Sequence, residues 1–455
     1  MLGFALLSTN LRIFNTDPKA MSAPKILNYE LAPSPATIFG CLLPAPWLGV
    51  AAGLLLAFGP ATGLPDRYSP LILAVTHVLA LGMLAPIMVG ALFQLFPVVA
   101  GQMVRPAKWI APFVALGSTV IATGLSVGFL AGNQVGFAVA AWLAMILYGA
   151  IVLALVHAAW HMVLPPNPDA TLKTLRGIAL VLLIVIGLGV ALAGAFAGWW
   201  QVDIAYVLRL HVAWGLVGWI ACLVLGVAST VVPMFWQTNR PSPSWHRHLP
   251  WDIWLGLLML FLPLSDSLFK LLISALALLV CVLSLTSIRT LLHAKRKFDP
   301  AWGLWLVSAA SWGIAAVLLL LLTHLDNSLA PNWMSLLPWW IGVLCLVGGA
   351  VMPVNAMLGK IIPFLIFLHL RRQIPMGRRV PSMQVVLPPE RLRWQARAVC
   401  FSLLSLLMLP LAPAEMKYLA GLCFAISQAM LAIFLLMSLF RYRQELRESI
   451  FSRAI

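Results

Sequence analysis

The stretch LILAVTHVLALGMLAPIMVGALFQLFP (71–97) contains no Asp, Glu, Lys or Arg and has one histidine, His77. About 20 consecutive apolar residues are enough to cross a bilayer as a helix. The rest of the chain has the same character, because 62% of its 455 residues are hydrophobic and only 9% are charged. Soluble domains carry about 25% charged residues. The sequence therefore predicts a polytopic membrane protein.

The apolar runs are long and do not alternate with period two, which favours helices over a transmembrane barrel. We predict an all-α membrane fold with a single transmembrane domain over 38–440. A cytoplasmic N-terminal segment (1–37) precedes the domain, and a cytoplasmic tail (441–455) follows it. Twelve spans are predicted, at 38–59, 69–99, 109–131, 134–164, 173–197, 204–235, 249–264, 267–293, 302–324, 335–370, 393–412 and 416–440.

The basic residues predict the orientation. Most of the 29 lysines and arginines lie in the terminal segments and in the loops that follow every second span. Short basic loops stay on the cytoplasmic side, so we expect both termini in the cytoplasm of a bacterial cell and the domain in the inner membrane. The net charge of +16 then reflects topology and attraction to anionic lipid, and it does not indicate a nucleic-acid partner.

Two further features of the chain limit the possibilities. Residues 1–20 lack the apolar core of a secretory signal, and either Met1 or Met21 can be the start of the chain. The six cysteines lie in or beside apolar spans without a C-x-x-C spacing. The sequence therefore predicts neither a disulfide framework nor a zinc site.

Three long spans contain a related motif. GALFQLFP (90–97), GVASTVVP (226–233) and AMLGKIIP (356–363) each place a small residue seven positions before a proline, and they recur at every fourth helix. Membrane proteins often reuse a helical unit. The motif predicts a pseudo-threefold bundle made of three groups of four helices.

His77 and His211 lie at matched positions in two of these units. His77 is 20 residues before Pro97, and His211 is 22 residues before Pro233. Both are therefore predicted about 10–12 Å below the outer surface, at 1.5 Å per residue. A histidine at membrane depth marks a ligand site, a proton relay or a transport path. The alternative is an imidazole that only stabilises helix packing through a hydrogen bond.

The remaining histidines give weaker signals. His324 is predicted at the outer surface beside Asp326, and it is a candidate for an outer metal or proton contact. His157 and His161 share one helical face, a spacing that can hold a metal, although side chains at such a position also extend to the membrane interface. The other histidines lie close to arginines of the loops, and they are predicted to lie at the membrane interface.

THVLALGMLAPIMVGALFQLFP (76–97) and LRLHVAWGLVGWIACLVLGVASTVVP (208–233) resemble the His-to-Gly-to-Pro helices of subunit I in haem-copper oxidases and nitric oxide reductases. The twelve predicted spans extend this resemblance over the whole chain, and the smaller NnrS-type haem and copper proteins are the closer likeness. The resemblance implies an oxidase-like bundle. It also implies that His77 is an axial haem ligand and that His211 is a copper ligand.

The chain departs from this family in its ligands. The predicted seventh span contains no histidine, and the predicted tenth has only His369 at its far end, whereas oxidases need histidines in both. The protein therefore lacks the ligands for a binuclear metal centre, and we do not expect it to be an enzyme. We expect a non-catalytic haem- or metal-binding protein, linked to the nitric oxide response or to electron transfer, in which His77 and His211 hold one haem b or one copper ion. Soft donors that would favour copper are Cys345, Met352, Met357 and Met234.

Two alternatives stay open at this stage. Arg209 and Lys360 lie within spans that contain prolines, which is typical of a permease for a small anion or a metal. The chain can also be a structural or assembly subunit without a ligand. The expected partners are the lipid bilayer and either a second copy of the chain or a respiratory subunit.

Overall fold

A computed structural model describes residues 28–239, 248–296, 299–325, 331–374 and 379–451. Within these ranges the chain is helical and contains no β-strand. The main helices are α1 Pro35–Phe58, α2 Pro70–Ala100, α3 Ala107–Ala131, α4 Gln134–Trp160, α5 Ala170–Phe196, α6 Ile204–Trp236, α7 Trp251–Met259, α8 Asp266–Leu292, α9 Pro300–His324, α10 Leu337–Gln373, α11 Pro389–Leu411 and α12 Pro413–Phe451.

Eleven of the helices in these ranges are long and apolar enough to cross a membrane, so the chain is a multi-pass membrane protein. Helices α2, α6 and α10 all begin at one face of the bundle, here called the upper face, and end at the opposite, lower face. Helix α1 begins at Pro35, before residue 38, and α12 continues through Phe451, beyond residue 440. Residues 1–27 and 452–455 of the predicted terminal segments lie outside the described residues.

The predicted seventh span, 249–264, is α-helical only over α7, and it is not among the eleven helices that are long enough to cross a membrane in the described residues. Helix α7 has nine residues, which rise about 14 Å, and a bilayer core is about 30 Å thick. The helix ends in a turn in which Leu260 N donates to the carbonyl of Leu257. The segment still carries the chain toward the upper face, because the Tyr206 hydroxyl at the start of α6 donates to the carbonyl of Phe261. The direction of the later helices therefore alternates as the twelve-span prediction required.

Five helix pairs form the most extensive contacts of the bundle: α8 with α9, α3 with α4, α4 with α5, α11 with α12, and α12 with α1. The last pair joins the two ends of the described chain. Gly53 of α1 and Gly421 of α12 meet there, and a Cβ built on Gly421 would lie 2.5 Å from the carbonyl oxygen of Gly53. Small residues allow the backbones of membrane helices to approach this closely. The first and last helices are thus packed as tightly as two helices that follow one another in the sequence.

Helices α2, α6 and α10 share an irregularity that the sequence did not predict. Each contains a π-helical segment, at Val78–Leu84, Trp214–Ala221 and Leu344–Val351 respectively. In each helix this segment begins 19 residues before the proline of the repeated motif, at Pro97, Pro233 or Pro363. π-helical turns are rare and often lie at functional sites. The three helices therefore repeat a local structure as well as a sequence motif.

A glycine within each π-segment packs against the first helix of the same group. A Cβ built on Gly82 would lie 3.0 Å from Leu48 of α1, and one built on Gly218 would lie 3.4 Å from Val181 of α5. Gly348 is closer still to α9, because a Cβ there would lie 2.3 Å from the Ser311 hydroxyl. All three glycines lie 15 residues before the motif proline. A glycine therefore stands at this position of every unit, and its contact with the first helix is tightest at Gly348.

Candidate functional site

Helix α2 brings His77 into the upper half of the bundle. The Ser69 hydroxyl caps the helix by accepting a hydrogen bond from Ile72 N at 3.4 Å, which satisfies one of the free N–H groups of the first turn. His77 is the last α-helical residue before the π-segment. Its Nδ1 donates to the carbonyl of Leu73, 2.7 Å away in the preceding turn. The imidazole is thus anchored to its own helix.

Helix α6 positions His211 in a similar way but anchors it to a neighbour. The Asp203 carboxylate caps the helix by accepting from Tyr206 N at 3.0 Å. His211 lies three residues before Trp214, at which the π-segment begins. The His211 Nδ1 donates to the carbonyl of Val185 on α5, at 3.2 Å. This bond crosses between helices and fixes the ring relative to α5.

The two imidazole rings lie close together and nearly parallel, one on α2 and the other on α6. Their centroids are 6.5 Å apart, and their planes differ by only 8°. Both side chains are half-buried. Phe129 of α3 lies beside His77 with ring centroids 5.3 Å apart, and Gly189 of α5 leaves space for His211, because a Cβ there would lie 3.1 Å from its Cε1. The pair is therefore held on its outer sides by α3 and α5.

The backbone bonds determine the tautomer of both rings. A carbonyl oxygen only accepts, so the Nδ1 atoms of His77 and His211 must carry the proton. In a neutral imidazole the Nε2 atom then has a free lone pair. An Nδ1–H bonded to a backbone carbonyl is the usual support of a histidine that binds a metal through Nε2. Both rings are thus prepared as ligands.

The separation of the rings agrees with two imidazoles on opposite sides of one metal. Nitrogen ligands lie about 2.0–2.1 Å from a metal, and a ring centroid lies about 1 Å beyond its nitrogen, so opposed ligands have centroids roughly 6 Å apart. The observed distance is 6.5 Å. In the described part of the chain no group of three or more His, Cys, Asp or Glu can hold a metal. Two protein ligands fit a metal that brings its own equatorial donors, as haem iron does.

The structure does not bring His324 to this pair. His324 lies at the end of α9, where its Nε2 is 2.6 Å from the Ser274 hydroxyl of α8. Asp326, which the sequence placed beside it, lies outside the described residues. His157 and His161 are exposed near the lower end of α4, with their ring centroids 4.7 Å apart. These three histidines therefore contribute nothing to the site formed by His77 and His211.

The candidate soft donors also lie elsewhere. Cys345 belongs to a small apolar cluster with Ala315 and Leu344, against α9. The Met234 sulfur accepts from the Tyr29 hydroxyl at 3.9 Å, near the lower face. Met352 and Met357 are packed in the main hydrophobic core of the bundle. None of them is in contact with the imidazole pair among the residues that the structure describes.

The positions that oxidases use for further ligands are apolar here. Helix α7 carries no histidine, and its Trp254 indole donates to the carbonyl of Gly218 at 3.0 Å. In α10 the one histidine, His369, lies near the lower end, with its Nδ1 2.6 Å from the Tyr442 hydroxyl. The site therefore consists of two imidazoles and apolar neighbours.

Sequence reasoning missed the groups that hold His211. The carbonyl of Val185 and the open position at Gly189 lie on α5, which carries no histidine and no motif. The run IGLGV (186–190) signals a close approach of a neighbour only weakly, because glycine is frequent in membrane helices. Only the packing of α5 against α6 identifies these residues.

The chain matches no model of a protein family and no curated protein sequence. The candidate site is a pair of nearly parallel imidazoles in a membrane bundle, each with its Nδ1 bonded to a backbone carbonyl.

Proposed function

We propose that the protein is a non-catalytic haem-binding membrane protein related to subunit I of haem-copper oxidases and to NnrS-type proteins. His77 and His211 would bind one b-type haem through their Nε2 atoms. The observation that carries this proposal is the parallel pair of rings with centroids 6.5 Å apart and with both Nδ1 atoms bonded to carbonyls. The chain has no C-x-x-C-H motif for covalent attachment, so the haem would be non-covalent.

A haem with two axial histidines supplies one-electron chemistry, suited to electron transfer or to sensing in a nitric oxide response. The residues of this chain would hold and shield the group. His77 is anchored on α2, and His211 is anchored across to α5, so neither ring can rotate freely. The phenyl rings of Phe129, Phe137 and Phe196 pack together next to His77 and exclude water from that side.

The oxidase-like, pseudo-threefold arrangement is part of the proposal. The three π-segments at one spacing support it. So do two matched side-chain pairs near the lower face, three residues before the motif proline. Thr230 of α6 bonds to Thr171 at the start of α5, at 2.7 Å, and Lys360 of α10 forms an ion pair with Asp299 at the start of α9. Equivalent positions thus make equivalent contacts in two units.

We further propose that the lower face is cytoplasmic and that the membrane is the bacterial inner membrane, because the basic loops join helices at that face. Reporter fusions after Gln102 and after Pro300 are expected to report the cytoplasm, and a fusion after Pro65 is expected to report the outside. Alkaline phosphatase fusions report the outside, and green fluorescent protein fusions report the cytoplasm. A reversed pattern would contradict the proposed depth of His77 and His211.

The proposal predicts no catalytic turnover. Purified protein supplied with a reduced electron donor is expected to add no oxygen consumption and no nitric oxide reduction above the donor alone. The reason is that His77 and His211 would both bind the haem iron, which would leave no open metal position for a substrate. An oxygen electrode and a nitric oxide electrode measure the rates. Turnover that depends on the protein would contradict the proposal.

Copper is the second candidate for the same pair, since two imidazoles can also bind one copper ion. Metal analysis and an absorption spectrum of the same sample separate the two metals, because haem gives iron together with a Soret band.

The permease alternative has less support. Lys360 is paired with Asp299 and is not a free charge for a cargo. The Arg209 guanidinium lies over the Phe269 ring of α8, 5.6 Å from its centroid. A colourless, metal-free protein would favour the permease or an assembly subunit.

A haem protein of this kind needs an electron partner, and either a respiratory subunit or a second copy of the chain can serve.

A further inference from the structure

A short segment before α1 crosses the lower end of the bundle. It consists of Asn28 and one 3₁₀ turn, Tyr29–Leu31. Asn28 N donates to the carbonyl of Val98 in the last turn of α2, at 2.8 Å. The Tyr29 hydroxyl donates to the Met234 sulfur in the last turn of α6, at 3.9 Å. Burial raises the pKa of this hydroxyl, so it stays protonated and remains a donor at neutral pH. Two consecutive residues therefore contact the ends of α2 and α6.

Helix α10 holds the same segment from a third side. The Tyr29 ring meets the Phe364 ring edge to face, with centroids 5.7 Å apart. Helix α10 continues about two turns past Phe364, and in its last turn Arg372 Nη2 donates to the carbonyl of Tyr29 at 2.9 Å. The same nitrogen lies 3.3 Å from the Glu30 carboxylate. Helix α10 thus binds the segment through an aromatic ring and a charged side chain.

The three points of contact occupy one position of the repeated motif. Val98, Met234 and Phe364 are each the residue directly after the motif proline of their helix. A segment that only lies on the surface would meet unrelated positions, whereas this one meets the same position in all three repeats. The ring of Phe364 also contacts that of Phe235 in α6, with centroids 6.5 Å apart. The lower parts of the three helices therefore converge at this segment.

The contacts of the segment are few and partly exposed. The side chains of Arg372 and Glu30 are 42% and 88% exposed, and an exposed ion pair contributes little to stability. A groove also separates the segment from the end of α2, and it is lined by Asn28, Tyr29, Glu30 and Val98–Gly101. The hydrogen bond from Arg372 to the Tyr29 carbonyl is then the strongest polar bond of the segment, because its donor is charged. The segment can therefore leave this place without unfolding the bundle.

We propose that residues 28–31 form a lid over the lower parts of α2, α6 and α10, and that Arg372 holds the lid closed. Because Arg372 and Phe364 both belong to α10, a movement of α10 away from α2 and α6 would carry the lid with it and uncover Met234. Access to this end of the bundle would thus depend on the position of α10. The lid is at the opposite end of α2 and α6 from the imidazole pair, so the proposal is independent of haem binding.

The test follows the oxidation of Met234 by hydrogen peroxide in the full-length protein in detergent, measured by mass spectrometry. The variant Arg372→Ala removes a side chain that bonds to Tyr29 and Glu30 and not to Met234. A change at Met234 must therefore be transmitted by the lid. We expect the oxidation rate of Met234 to rise about fivefold, the usual effect of losing one hydrogen bond. Tyr29→Ala uncovers the sulfur directly and is expected to give at least the same rise.

Two controls separate lid opening from a general effect. Met437 of α12 is the internal reference, because its side chain is 36% exposed, compared with 37% for Met234, and its sulfur accepts from Arg391 at 3.5 Å. Its oxidation rate is expected to stay unchanged in Arg372→Ala. Arg393→Ala is the matched control variant, because it breaks an exposed ion pair with Glu390 at the lower end of α11. It is expected to leave the oxidation of Met234 unchanged.

Hydrogen exchange over residues 28–32 is measured on the same variants. It is expected to be faster in Arg372→Ala, because Asn28 N loses its bond to Val98 when the lid opens. Unchanged oxidation of Met234 in Arg372→Ala would overturn the proposal, even with faster exchange, since the segment would then not cover α6. An equal rise at Met437, or a rise at Met234 without faster exchange, would overturn it as well, because the effect would then not come from the lid.

Discussion

His77→Ala and His211→Ala are each expected to lower the Soret absorbance of the purified protein more than about tenfold. Each substitution removes one of two protein ligands. The loss of a group that only holds a metal ligand in place already lowers metal affinity 10- to 100-fold. Absorbance per mole of chain, with iron measured on the same samples, gives the result. Free imidazole added to the alanine variants is expected to restore part of the band, because it can occupy the space of the missing ring.

Matched controls separate ligation from general damage. His157→Ala removes an exposed ring near the lower end of α4, and His324→Ala removes a ring bonded to Ser274. Both variants should keep the wild-type band. If His77→Ala and His211→Ala keep the band as well, the two histidines stabilise packing and are not ligands.

Gly53→Ala and Gly421→Ala are expected to destabilise the protein strongly. A Cβ on Gly53 would lie 2.6 Å from Ala425 N and from the carbonyl oxygen of Gly421. These are backbone atoms of α12, so α1 and α12 must separate to make room. Overpacking of this kind costs about 1–3 kcal/mol. The midpoint of thermal unfolding in detergent, followed by tryptophan fluorescence, should fall by several degrees.

Gly149→Ala is the matched control for this prediction. Gly149 lies in α4, and a Cβ there would meet no heavy atom within 4 Å. The same substitution should therefore be neutral or slightly stabilising, because alanine favours a helix by roughly 0.5–1 kcal/mol over glycine. Equal midpoints for Gly421→Ala and Gly149→Ala would contradict the close packing of the first and last helices.

The sequence predicted the membrane class, because runs free of charged residues have only one stable environment. The motif ending in Pro97, Pro233 and Pro363 identified the three helices that turn out to share a π-segment. The matched spacing of His77 and His211 selected the two rings that the structure brings within 6.5 Å. Each of these inferences used periodicity or spacing along one helix, which the sequence records directly.

Other features depend on contacts between helices and could not be predicted. The π-segments were not predicted, because the glycine that each of them contains is a frequent residue in membrane helices and does not distinguish these positions. The role of Val185 arises from its backbone carbonyl, which every residue possesses. The shortness of α7 was missed, since hydropathy over 249–264 does not reveal where a helix ends.

The electron paramagnetic resonance spectrum of the oxidised, purified protein, with iron quantified in the same sample, tests haem ligation by His77 and His211 most directly. The imidazole planes differ by 8°, and nearly parallel axial ligand planes give a rhombic low-spin ferric signal. We predict that signal, together with one iron per chain. A colourless protein without iron or copper would contradict the account, and so would a high-spin haem with an open axial position.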